Sequence, residues 1–117
     1  MPSIAFEAAQ FRHGPIELVT EGFAALVFIP KGRCEEMQLR IAEEICQYGG
    51  KVVVVAEEGV ELPRLSAMTV IRQHYVSQEL APLVNIVPVQ AFIDYVSKDS
   101  GIDSGSFRCG SKVTVKQ

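Results

Sequence analysis

The sequence predicts an α/β fold, a doubly wound parallel sheet flanked by helices. Three observations carry that expectation. Phe23–Ile29 is an unbroken apolar run, and Lys51–Ala56 holds four consecutive valines. Strands apolar on both faces belong in a parallel sheet covered by helices. Between them lies an amphipathic helix, and a strand–helix–strand order of this kind builds a layered α/β domain.

In chain order, Ile4–Ala8 reads as a short strand and Gly14-Pro15 as a break. Proline fits the first turn of a helix, where its missing N–H costs nothing, so a short helix is expected over Pro15–Val19. The Phe23–Ile29 strand is closed by Pro30-Lys31-Gly32. The helix spans Cys34–Tyr48, with Cys34, Met37, Ile41, Ile45 and Tyr48 on one stripe. Glu35 and Glu36 complement the dipole in its first turn, and Gly49-Gly50 end it. Lys51–Ala56 is the second strand and Met68–Arg72 a weaker third. A long apolar helix runs from Ser77 or Gln78 to Lys98. It is expected to be buried in a core or against another subunit, with a kink where Pro88 meets the carbonyl of Val84. The tail 101–117 is rich in Ser and Gly and reads as extended.

With 117 residues and 48% hydrophobic content, the chain supports one small domain. The net charge is −3 and no stretch clusters Lys and Arg, so nucleic acid is not an expected partner. Cys34, Cys46 and Cys109 form no C-x-x-C pair and read as free thiols of a reducing compartment. His13 and His74 are too few and too separated for a zinc site, and no metal or organic cofactor is expected. Leu80–Val96 is interrupted by Pro82, Asn85, Pro88, Gln90 and Asp94, which argues against a membrane span. The N-terminus has no basic region followed by an apolar run, so the expected location is the cytoplasm.

Arg12-His13-Gly14-Pro15 is the most informative segment. A histidine just before a helix N-terminus meets the positive end of the dipole, which favours the neutral ring that moves protons. Arg12 beside it is suited to holding a phosphate or carboxylate. Lys112, in Ser111-Lys112-Val113-Thr114, could bring an ammonium group to a site by ordering of the tail. Glu35, Glu36, Glu43 and Glu44 read as solvated surface. Glu57, Glu58 and His74 follow strands and read as loop groups, although ligands gather at such strand ends. No glycine-rich phosphate loop and no G-x-S-x-G motif is present.

The segment Phe6–Val19, with its Arg-His-Gly-Pro core, resembles a signature of the sugar-isomerase (SIS) domain family, whose aminosugar-phosphate synthase members carry Lys-His-Gly-Pro there. Gly49-Gly50 with the following valine strand, Leu80-Ala81-Pro82-Leu83, Val87-Pro88-Val89-Gln90 and Ser111–Val115 resemble further family motifs in the same order. The resemblance implies a partial SIS domain over residues 1–117 with a C-terminal tail, 101–117. It lacks the family's first strand and helix, which carry the proton-shuttling glutamate, and so the central strand of its sheet. Two inner strands are then expected to show unpaired groups. The implied function is a phosphosugar-binding part of an aldose–ketose isomerase, or of an aminosugar-phosphate isomerase, aminotransferase or deaminase. The alternative is a non-catalytic sugar-phosphate-binding regulatory module. By the same resemblance His13 opens the sugar ring and Lys112 assists the open chain. Arg12, Gly110 and Ser111 contact a substrate of the fructose-6-phosphate or glucosamine-6-phosphate type. Ser111 precedes Lys112, whereas the synthases have the reverse order, and Phe107-Arg108-Cys109 stands where the family has Pro-Arg-Asn. A homodimer, or membership of a longer polypeptide, is also implied.

Overall fold

The computed structural model describes residues 3–77 and 79–102. The chain divides into two units, Met1–Tyr75 and Val76–Gln117. The first holds α1 (Ala8–Arg12), a 3₁₀ turn (Pro15–Leu18), β1 (Ala24–Ile29), α2 (Glu35–Gln47), β2 (Lys51–Glu57) and β3 (Met68–Gln73). The second holds α3 (Ala81–Asp99).

The strands form one parallel sheet in the order β1-β2-β3. Leu26 lies beside Val53, which lies beside Thr69. Because side chains alternate along a strand, Ala25, Val27, Ile29, Val52, Val54, Ala56 and Met68 share one face. That face is the core. Ile29, Val54 and Ala56 are fully buried, together with Ile41, Ala42 and Ile45 of α2. Burying a side chain such as Ile45 contributes about 1.5–3 kcal/mol.

The turn from α2 into β2 follows from Gly49-Gly50. Gly49 has φ 93°, a conformation that side chains disfavour. Gly50 N–H donates to Ile45 O (2.9 Å) and Gly49 N–H to Cys46 O (3.2 Å), which satisfies two terminal carbonyls of the helix. Gly50 is glycine for a second reason, since a Cβ there would lie 2.7 Å from Ile45 Cγ2 and 3.2 Å from Val19 Cγ1.

Several expectations are corrected. The strand at Ile4–Ala8 is absent, and residues 8–12 are helical instead. Ala-Ala-Gln-Phe-Arg consists mostly of strong helix formers, and as a helix it delivers Phe11 into the core at 8% exposure. The α2 stripe is shorter than its periodicity implied. Cys34 is exposed and Tyr48, at the C-cap, is 56% exposed. The three strands are contiguous, and among the described residues the outer edges of both β1 and β3 have no strand beside them, in line with the two open strands expected. The long apolar helix exists but starts at Ala81, after a turn in which Leu80 and Ala81 N–H both donate to Ser77 O (3.0 Å each). Pro82 sits in its first turn, and the helix runs on through Pro88. None of its residues is buried; Leu83 is 68% exposed and Phe92 51%.

Candidate functional site

His13 lies in the bend between α1 and the 3₁₀ turn. It is the C-cap of α1, and its N–H donates to Gln10 O (3.2 Å). The motif alone implies a helix N-terminus and nothing more. Here His13 also closes a helix, so the negative end of α1 opposes the positive end of the following turn. Gly14 and Pro15 then redirect the chain, with Glu17 N–H donating to Gly14 O (3.0 Å). The imidazole is exposed, and the backbone that carries it is fixed on both sides by Phe11 and Val19, which are buried in the core.

Arg12 is not free. Its Nη2 donates to Glu44 Oε1 at 2.7 Å, which ties α1 to α2. Glu44 is therefore more than the solvated surface group its helix position suggests. Its side chain is 24% exposed, and its second carboxylate oxygen is buried without a partner. A phosphate at Arg12 must share the guanidinium with Glu44. The helical stripe hides this pair, because the partners stand 32 residues apart and only the packing of α1 on α2 brings them together.

At the carboxyl end of the sheet a second polar group gathers. Lys31 N–H donates to Glu57 Oε2 (3.0 Å), and Lys31 Nζ reaches Gly59 O (2.9 Å) and Glu35 Oε1 (3.3 Å). Gly32 N–H donates to Glu35 Oε2 (3.2 Å). These bonds fasten the loop after β1 to the loop after β2. Arg72 Nη1 donates to Val60 O (2.6 Å), which holds the second loop against β3. His74 Nδ1 lies 2.9 Å from Glu58 Oε1, with the two side chains 92% and 57% exposed. In sequence Glu57 and Glu58 read as loop charges. Glu57 instead ends β2 and ties it to the loop after β1, a role visible only once β1 and β2 are adjacent. A shallow open groove that no motif announces runs along β3 between Leu62, Leu65, Met68 and Val70, rimmed by Arg64 and Arg72.

Lys112, Gly110 and Ser111, like Cys109, lie outside the described residues. His13 and Arg12 are therefore the expected site residues whose placement is seen. Among the described residues no three His, Cys, Asp or Glu side chains gather as a metal site. No helix among them is long and apolar enough to cross a membrane.

No protein-family model matches the chain. It is, however, 41% identical over 87 residues to the isomerizing glutamine–fructose-6-phosphate aminotransferase of Thermus thermophilus, a match covering 74% of this chain and 14% of that protein. The protein of the same description from Mycobacterium leprae is 34% identical over 107 residues, covering 88% of this chain and 17% of the relative. That of Aquifex aeolicus is 28% identical over 98 residues, covering 84% and 17%. The chain thus spans roughly one-sixth or less of the relatives' own length. Among solved structures, the C-terminal domain of glucosamine-fructose-6-phosphate aminotransferase from Francisella tularensis superposes with a TM-score of 0.77 at 23% identity. That likeness covers 85% of this chain and 28% of that one, and it speaks for the fold.

Proposed function

Because this chain is a sugar-isomerase (SIS) segment related to the glutamine–fructose-6-phosphate aminotransferases, we propose that it forms part of a phosphosugar site. That site belongs to an aldose–ketose isomerase, or to an aminosugar-phosphate isomerase, aminotransferase or deaminase. The observation that supports this reading is the exposed His13, held in the bend between α1 and the 3₁₀ turn within the Arg-His-Gly-Pro segment that resembles the family signature.

In this reading the imidazole of His13 takes the proton of the anomeric hydroxyl and returns one to the ring oxygen, which opens the ring. The open chain then isomerises through an enediol. The carboxylate that moves the proton between C1 and C2 comes from sequence outside this chain. Arg12, with Gly110 and Ser111, contacts the substrate, and Lys112 in the 101–117 tail stabilises the developing oxyanion. No cofactor takes part. Residues 1–117 act as a partial SIS domain in the cytoplasm, either within a longer polypeptide or as a homodimer.

Nuclear magnetic resonance of the histidine rings tests the reading. Titration with fructose-6-phosphate is expected to shift the His13 signals saturably and to leave His74 unmoved, while unphosphorylated fructose shifts neither. His13 signals that ignore the phosphosugar contradict the assignment.

A further inference from the structure

α1 is too short to hold its own shape. It has five residues, and its N-cap, Glu7, makes no side-chain capping bond. Helices shorter than about 12 residues are marginal without tertiary contacts. The position of α1 therefore comes from what it packs against.

Two consecutive residues supply that packing. Phe11 lies in the core, its ring 6.0 Å from that of Phe6 and 6.2 Å from that of Phe23. Apolar burial is non-directional, so Phe11 alone lets the helix roll about its axis. Arg12 stands about 100° further round that axis. Its bond to Glu44 Oε1 on α2 is directional and stops the roll. Glu44 is suited to this task. Its side chain is 24% exposed, whereas Glu36 of the same helix, paired with Arg40, is 77% exposed. A carboxylate partly withdrawn from water holds a cation more firmly than one in bulk solvent. His13 follows Arg12 directly as the C-cap of α1, so the rotation of α1 sets the direction in which its backbone presents the ring.

We propose that Glu44 is a positioning residue for His13. By gripping Arg12 it fixes the rotation of α1, and with it the pose of the imidazole toward a phosphosugar. The inference rests on the sugar reading for what His13 does. The positioning itself belongs to the ligand-free chain. It also gives Arg12 a second task, since the guanidinium that meets the substrate is the one that anchors the bend.

Amide hydrogen exchange and the histidine-ring resonances of the chain test it. Glu44→Gln removes the charge and keeps the shape. Without ligand, the amides of Phe11 and His13 donate to Glu7 O (3.0 Å) and Gln10 O (3.2 Å). In the variant they are expected to exchange about threefold faster or more, the scale of a partly exposed ion pair. The amides of β2 should keep their rates. Arg12→Met releases the same tie from the other side. The double variant should be no worse than either single one, because both act through one pair. Fructose-6-phosphate is then added. The saturating shift of the His13 ring signals is expected to shrink about twofold or more in Glu44→Gln, since a loosely held group spends less time in the productive geometry. Unchanged Phe11 and His13 exchange in both single variants overturns the proposal. So does a speed-up shared equally by β2, or a His13 shift of full size in Glu44→Gln. An unmutated chain whose His13 ignores the phosphosugar contradicts the sugar reading alone, and the ligand-free exchange rates then decide the role of Glu44.

Discussion

Among the described glycines, Gly50 has the closest neighbours. Gly50→Ala forces a methyl against Ile45 Cγ2 and Val19 Cγ1. Overpacking of this kind costs about 1–3 kcal/mol, to be read as a lowered midpoint in chemical denaturation. The cysteines give a second prediction at this scale. Burial, and then the Glu43 carboxylate, raise the Cys46 thiol above its ordinary value, whereas Cys34 is exposed. Alkylation followed by mass spectrometry should label Cys34 before Cys46, which lags until the solution is strongly alkaline. The sign for stability follows. A raised thiol pKa in the fold contributes stability that is present below the unfolded thiol's pKa and lost as pH rises through the folded one. His13 is legible in the sequence because Gly14-Pro15 marks a bend whatever surrounds it. Its electrostatic setting is not, since the helix it caps carries no periodic signal and resembles a strand.

At the level of elements, the parts of the sequence that announce themselves are those with a period or an unbroken run. The valine strand, the strand before it and the middle of the α2 stripe appear where patterning places them, because burial on two faces or one leaves that mark on composition. Ile4–Ala8 misleads because five residues are too few for a period, and packing of Phe11 decides the outcome. The Arg12–Glu44 pair and the Lys31–Glu57 bridge leave no trace in the sequence because both join distant residues. Ile41, Ala42 and Ile45 of α2 pack in one buried cluster with the sheet residues Ile29, Val52, Val54 and Ala56. Ile45 is 1% exposed there. Ile45→Ala is expected to cost about 2–5 kcal/mol through lost burial and the cavity left behind. Thermal unfolding followed by circular dichroism checks this, and a loss below about 1 kcal/mol would mean that α2 does not sit on the sheet as described.

Among the described residues, the first unit is a small parallel sheet whose outer strands β1 and β3 have open edges, and the second is a long apolar helix with no buried residue. Apolar surface of that kind marks places where another polypeptide binds. A chain that matches roughly one-sixth or less of much longer relatives fits the same picture. In the proposed reading, function at this scale rests on His13. The most direct measurement is therefore a chimera. The stretch of the Thermus thermophilus aminotransferase that aligns with this chain is replaced by the chain's own residues, and formation of glucosamine-6-phosphate is assayed with and without His13→Ala. The account predicts a working chimera whose turnover falls by about a hundredfold or more in the variant, the scale of a lost acid–base group. A working chimera that is indifferent to His13→Ala would contradict it.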